Sequence, residues 1–261
     1  MMKACEVLKG SPLEGLSRIE LESIQLIISD VDDTITSQGR LRPCALEALE
    51  SAERKGYRTV LLSGGSAGWC EVYLRQWPVY MVIAESGAVL MYRDEKGNIQ
   101  YQQNPCITEE DSKKREDLLK MIGHEYLSSD QYARLYDIAV DLSRTPADRL
   151  DDIRKAAQAM GAHYAQSSIH LNIWFGDYSK RKGLIGFMEL CGIDEETLKN
   201  TSIYLGDAQN DEEMFDLIPL SVGMKSVADN REAFRYLPAF IAEGYGGEGF
   251  AETISLLPER R

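Results

Sequence analysis

The sequence predicts an α/β fold: a Rossmann-like, three-layer core built on a parallel sheet and interrupted by an inserted α+β cap domain. Three observations carry this. Short apolar, β-branched runs such as Leu26-Ile27-Ile28 alternate with helix-periodic segments in both the first and the last third of the chain, the pattern of a parallel sheet covered on both faces. Over residues 87–176 the pattern changes to two-residue alternation with hairpin signals, which marks an antiparallel unit. Two core strands end in carboxylates, Asp30-Val31-Asp32-Asp33 and Gly206-Asp207-Ala208-Gln209-Asn210-Asp211, at the strand termini where open α/β sheets bind ligands.

Taken in order, residues 1–23 read as a leading arm in which Pro12 and Gly15 interrupt any helix. The core occupies 24–86 and 177–261, and the cap 87–176. After the first acidic strand end, Pro43 opens a helix that continues through Leu46, Leu49 and Ala52 to Gly56. Thr59 to Ser63 is a second buried strand, ending in Ser63-Gly64-Gly65-Ser66 ahead of a helix from Ala67 to Trp77 that Pro78 stops. A glycine-rich turn between strand and helix presents backbone N–H groups to an anion, although Gly-Gly-Ser is also an ordinary turn. Val79 to Ala84 is a third strand.

The cap begins with Val89–Tyr92 and Ile99–Gln102 about the turn residues Asp94-Glu95-Lys96-Gly97-Asn98, and a charged helix follows over 109–123. Tyr136 to Leu142 alternates, with Tyr136, Ile138, Val140 and Leu142 on one side and Asp137, Ala139 and Asp141 on the other. Thr145-Pro146 opens a second cap helix ending at Gly161. Strands then follow over 163–166 and 169–175, the second presenting His170, Asn172 and Trp174 opposite Ile169, Leu171, Ile173 and Phe175. The core resumes with a helix after Ser179-Lys180-Arg181-Lys182-Gly183, a strand over 202–205, and further strand and helix segments to Leu257.

Composition narrows the function. A chain of 261 residues with 44% hydrophobic and 27% charged residues can bury a large core. Its net charge of −13 argues against nucleic acid as a partner and requires local cations at any phosphate site. No apolar run approaches a membrane span of ~18 residues. Five scattered cysteines with no Cys-x-x-Cys pair, and no secretory core in Met1 to Gly10, point to a reduced, cytoplasmic protein. A monomer or a homodimer is the expectation for its assembly, which no feature of the sequence decides.

Carboxylates as close as Asp30 and Asp32 persist only with compensation, and an oxygen-rich cluster suits Mg²⁺. A solvated loop capping the next helix is the plain alternative. Ile35 and Leu41, at the sixth and twelfth positions, argue against a calcium loop of the helix-loop-helix kind. If the two acid-tipped strands are neighbours, ~4.8 Å apart, Asp30, Asp32 and Asp207 converge on one metal. With Lys182 and Ser63 they form a set able to position and stabilise a transferring phosphoryl group.

The residues resemble those of the haloacid-dehalogenase-like phosphatases. Asp30-x-Asp32-x-Thr34, Ser63 after Val60-Leu61-Leu62, Lys182-Gly183, and Gly206-Asp207-x-x-Asn210-Asp211 match that family's four signatures in order. The inserted unit, with Glu85-Ser86-Gly87-Ala88 and Gly246-Gly247-Glu248-Gly249-Phe250, is similar to the subclass IIB cap type that includes Cof-type, sucrose-phosphate and mannosyl-3-phosphoglycerate phosphatases. The resemblance covers residues 26–257. It implies that Asp30 is the nucleophile and Asp32 the general acid and base. Asp30, Asp32 and Asp207 would hold Mg²⁺, Asn210 and Asp211 would orient that shell, and Ser63, Gly64 and Lys182 would hold the phosphoryl group. Asp33, Ser63, Gly65 and Ser86 depart from the commoner Gly, Thr, Arg and Asn.

The expected activity is hydrolysis of a small phosphorylated metabolite, a sugar phosphate or a phosphoglycerate derivative, through an aspartyl-phosphate. Specificity is assigned to the cap residues Arg134, His170, Asn172 and Trp174, with Arg134 gripping a substrate carboxylate or hydroxyl cluster. A phosphomutase using the same aspartates and a non-catalytic phospho-ligand-binding protein are the rival readings.

Overall fold

The structure, a computed structural model, describes residues 8–18, 21–167 and 169–260. Its main sheet runs in the order Ser11–Pro12 (β1), Phe240–Ile241 (β14), Ser221–Gly223 (β13), Ser202–Gly206 (β12), Leu26–Ser29 (β2), Arg58–Leu62 (β5), Met81–Ala84 (β6), Val89–Arg93 (β7) and Ile99–Gln103 (β8). Pairing is parallel from β1 through β6 and antiparallel from β6 to β8. Every residue of β2, β6 and β12 is buried, the expected fate of continuous apolar runs in a sheet covered on both faces.

Helices Pro43–Arg54 (α1), Ala67–Gln76 (α2) and Gly247–Leu256 (α9) pack on one face through Ala48, Leu49, Leu74 and Phe250. Helices Lys180–Leu190 (α5), Glu195–Thr201 (α6), Glu212–Leu217 (α7) and Lys225–Asp229 (α8) pack on the other through Phe187, Leu198, Phe215 and Val227. This is the predicted three-layer α/β core.

The cap sheet is antiparallel, ordered His163–Gln166 (β10), His170–Trp174 (β11), Asp137–Asp141 (β9). Helices Glu109–Ile122 (α3) and Ala147–Ala159 (α4) back it around Leu118, Ile138, Val140, Ile153, Leu171 and Ile173. The other side of the sheet faces the core domain, so the two-residue alternation of β9 and β11 decides which residues see the cleft.

Two sequence expectations change. The hairpin over 89–103 belongs to the core sheet: Val89 pairs with Ala84, and the chain reverses through Glu85, Ser86 and Gly87 at φ 50, 57 and 108°. Val89, Leu90 and Met91 are all buried, on both faces of the strand. Antiparallel character was legible, but the partner strand was not, and the inserted unit therefore begins after Gln103. The described part of the leading arm supplies the edge strand β1, with Leu13, Leu16 and Leu21 in the core. Pro12 fits an edge strand, where no inner N–H is needed. The rest of that arm, residues 1–7 and 19–20, lies outside the described residues. Among the described residues, no helix is long and apolar enough to cross a membrane.

Candidate active site

β2 and β12 are neighbours in register, Ser29 opposite Leu205, so their acidic ends meet. The Asp30 N–H donates to the Leu205 carbonyl at 2.9 Å. Asp30, Asp207 and Asp211 each bring a carboxylate oxygen into one group spanning no more than 4.8 Å. Thr34 Oγ1 donates to Asp207 Oδ1 at 3.3 Å. Asp211 is filled by protein donors: Oδ1 accepts from Lys180 Nζ at 2.7 Å and from the Tyr204 hydroxyl at 2.6 Å, while Oδ2 accepts from the N–H groups of Asp207 and Ala208 at 3.0 and 3.2 Å. It orders the 207–211 loop. Asn210 Oδ1 is buried and has no partner among the described residues. Asp33 sits at φ 55° with its carboxylate accepting from the Gln38 N–H at 2.7 Å. A short polar residue tolerates that left-handed turn where most side chains do not.

The lysine at this cluster is Lys180, and the assignment to Lys182 is corrected. Lys180 Nζ lies 2.7 Å from both Asp30 Oδ1 and Asp211 Oδ1 and its side chain is 3% exposed. Lys182 is half-exposed and pairs with Asp177. Both lysines lie in the first turn of α5, where two residues turn the side chain by ~200°, so only one of them can face the carboxylates. Ser179 caps the helix by accepting from the Lys182 N–H at 3.3 Å, and its own hydroxyl donates to Glu213 at 2.8 Å.

Gly87 and Gly183 set how closely α5 approaches. A Cβ on Gly183 would lie 2.5 Å from Gly87 Cα, and one on Gly87 would lie 2.4 Å from the Ser179 carbonyl oxygen. Gly183→Ala is therefore expected to push α5 off the 85–88 turn and to lower stability by about 1–3 kcal/mol. A denaturant midpoint unchanged from wild type would contradict this packing.

Burial and like charge set the protonation of the cluster. Burial, then Asp211 and then Asp30 push Asp207 up to about 9. Asp30 rises to about 7 through burial, which Lys180 opposes and Asp211 and Asp32 reinforce. Burial favours the neutral form of Lys180, but Asp211 and Asp30 outweigh it and hold the ammonium charged. Asp32 opens into the cleft yet is ringed by protein, and this desolvation, with the charge of Asp33, raises its carboxyl.

Over this floor lies a cavity of about 710 Å³, bounded by Gly64, Gly65 and Ser86 from the core and by His170, Asn172 and Trp174 from β11. The strand parity of the sequence thus put the right cap face toward the cleft. Ser63 itself is buried; its hydroxyl accepts from the Gly65 N–H at 2.9 Å and shapes the turn from below, while Gly64 and Gly65 line the cavity. Trp174 is 7% exposed, donates from Nε1 to the Tyr178 carbonyl at 2.9 Å and stacks on His163. His170 is half-buried, and its pKa is lowered by burial and then by the Arg134 charge.

Arg134 does not reach out to a ligand. Its side chain is 1% exposed; Nη1 donates to both Asp137 oxygens at 2.9 Å and to the Gly64 carbonyl at 3.1 Å, and Nη2 to Asp130 at 3.4 Å. Asn172 Nδ2 adds bonds to the Gly64 carbonyl at 3.0 Å and to Asp137 at 2.8 Å. The physical reason is charge: an arginine three residues from a buried aspartate is consumed by it. Arg134 and Asn172 instead fasten the cap to the glycine turn.

Glu85, which sequence reasoning used only as part of a motif, makes the reciprocal link. Its carboxylate accepts from the N–H groups of Ala67, Leu135, Tyr136 and Asp137 at 2.9, 2.8, 2.6 and 3.0 Å. Burial and Asp137 raise its pKa to about 7 against those donors. No periodicity could have signalled a carboxylate that binds backbone fifty residues away.

No family model matches this chain, and no curated protein does. Solved structures do match its fold. A protein of Thermoplasma acidophilum is 22% identical with a TM-score of 0.68, the match covering 89% of this chain and 99% of that one. A haloacid dehalogenase-like hydrolase from B. subtilis is 15% identical at TM-score 0.65, covering 89% and 99%. A phosphatase of the haloalkanoate superfamily from Bacteroides thetaiotaomicron is 14% identical at TM-score 0.62, covering 89% and 94%. The core and cap of this chain share the fold of these proteins.

Proposed function

We propose that the protein is a Mg²⁺-dependent phosphomonoesterase of the haloacid-dehalogenase-like type with a subclass IIB cap, acting on a small phosphorylated metabolite. One observation carries the reading: a buried lysine clamps Asp30 and Asp211 beside Asp207, with Asp32 facing the same cavity. A binding module needs neither a clamped nucleophile nor a second carboxyl open to the cleft.

The donor set fits a divalent cation. Three carboxylates meet beside a buried lysine that pairs with two of them, and Asn210, in the same loop as Asp207 and Asp211, has an orphaned amide oxygen. Asp30, Asp207 and the Asp32 carbonyl would hold Mg²⁺, while Asp211, whose oxygens are already filled, would orient the loop. When bound, the ion supplies positive charge against the phosphoryl oxygens.

The remaining chemistry belongs to side chains. Lys180 holds one oxygen of Asp30, leaving the other to attack phosphorus. The bond from phosphorus to the leaving oxygen breaks as Asp32, raised by burial, hands its proton to the departing alcohol. A water then attacks the aspartyl-phosphate and gives its proton to Asp32, releasing phosphate and restoring Asp30. In the turn at the start of α2 the Gly65 N–H is held by the Ser63 hydroxyl, so Gly64 would be the residue that offers its backbone N–H to a phosphoryl oxygen. Phosphate release from a panel of phosphomonoesters, with Mg²⁺ or with EDTA, tests the reading. Turnover that requires metal supports it; isomerisation without phosphate release would turn it into a mutase.

Metal binding should be visible without turnover. A carboxyl whose folded pKa lies above its unfolded value keeps a proton that the unfolded chain has lost, so the stability it contributes falls as pH rises. For Asp207, that window runs from the ordinary carboxylate range to about 9. Without metal, the protein should lose stability across it. Mg²⁺ displaces those protons, so its stabilisation should grow with pH, reaching about 2.7 kcal/mol at a hundredfold excess over Kd. Thermal melts at pH 5 and pH 8, with and without Mg²⁺, check this; an equal shift at both would count against metal at Asp207.

A further inference from the structure

Resting on the phosphatase reading, we infer that the leaving group is a flat, uncharged or cationic ring system, held against an aromatic ladder on α2 rather than by the cap alone. Trp69, Tyr73 and Trp77 recur every four residues along this helix, which starts at the glycine turn. Tyr73 stacks on Trp77 at 4.3 Å with planes 21° apart, and Trp69 follows at 6.4 Å and 25°. All three line the cavity, with Leu41, Val72 and Ile169 beside them.

Trp69 is 54% exposed, and Val72 next to it is 37% exposed. An indole left half in water at the end of a stack, inside a cleft rather than on a convex surface, is an apolar face without a partner. Tyr73, the middle rung of the ladder, lines the same cavity as the reacting carboxylates Asp30 and Asp32. A ring attached to the phosphoryl oxygen can therefore lie along this wall.

Charge decides the rest. Among the described residues lining the cavity, the lysine and arginine side chains are Lys180 and Arg134; both are paired with carboxylates, and the one Arg134 nitrogen without a partner, Nε, is buried. Gly65 offers no side chain at the mouth. Asp130, Glu212 and Glu213 add negative charge around the space left for the alcohol. A leaving group bearing a carboxylate would meet repulsion with no cation to receive it, which turns the expectation away from phosphoglycerates.

The test compares benzyl phosphate with cyclohexylmethyl phosphate and 3-phosphoglycerate. The first two have similar size and similarly poor leaving alcohols, so chemical activation does not separate them. The expected result is a kcat/KM for benzyl phosphate roughly tenfold above the cyclohexyl ester and further above 3-phosphoglycerate. In Trp69→Ala, the benzyl-to-cyclohexyl ratio should fall toward one, through KM, and Trp69→Phe should restore most of it. Equal wild-type rates, a preference for 3-phosphoglycerate, or a ratio untouched by Trp69→Ala would overturn the inference while leaving the phosphatase reading intact. If no ester is hydrolysed, that reading fails instead, and calorimetric binding of benzylphosphonate decides the ladder separately. Roughly tenfold weaker binding to Trp69→Ala supports it, and equal binding overturns it.

Discussion

Asp30→Asn should abolish phosphate release, lowering kcat by about four orders of magnitude or more, because the covalent route has no substitute nucleophile. The amide keeps the size of the carboxylate and can still accept from Lys180. It also removes a charge that burial already pushes toward neutrality near pH 7, so the metal-free variant should be at least as stable as wild type at pH 8. Loss of activity with the melting temperature preserved would separate chemistry from folding. Asp32→Asn should behave differently. Loss of the general acid and base costs about two to four orders, and because hydrolysis of the intermediate also needs a base, an activated ester should leave phosphate trapped on Asp30. Acid quenching followed by mass measurement would show it. An Asp30→Asn enzyme within tenfold of wild type would remove the covalent mechanism.

Much of this site was legible because it depends on backbone direction. Strands end where their apolar runs end, parallel strands place those ends on one edge, and Asp30 and Asp207 then had to meet once β2 and β12 were neighbours. Strand parity placed His170, Asn172 and Trp174 on the cleft side for the same reason. What escaped were choices made by side-chain competition across long sequence distances. Arg134 looked free for a ligand, yet Asp137 and the Gly64 carbonyl claim it. Glu85 looked like a motif residue, yet it binds the backbone of the cap. The hairpin after Gly87 was recognised as antiparallel but not as a continuation of β6, since alternation within a hairpin says nothing about the strand beside it.

The lysine is the sharpest case. Lys180 and Lys182 stand two residues apart, and only the point at which α5 begins, fixed by the Ser179 cap and the Gly87–Gly183 contact, decides which one turns inward. Lys180→Ala should therefore cost far more than Lys182→Ala. Removing the buried ammonium leaves Asp30 and Asp211 without their shared cation; breaking such a pair costs about 3–5 kcal/mol, moderated where the carboxyls can protonate instead. Protonation is itself damaging here, since a neutral Asp30 is no nucleophile, and kcat should fall by at least about a hundredfold near pH 7. Raising pH should recover part of the lost activity as Asp30 ionises, while Lys180→Arg, larger and forked, should not fit a site that is 3% exposed. Lys182 lies at the surface against Asp177, so Lys182→Ala should match wild type in both melting temperature and turnover. The reverse ranking, with Lys182→Ala inactive and Lys180→Ala active, would show that the clamp holds the fold together without serving the reaction.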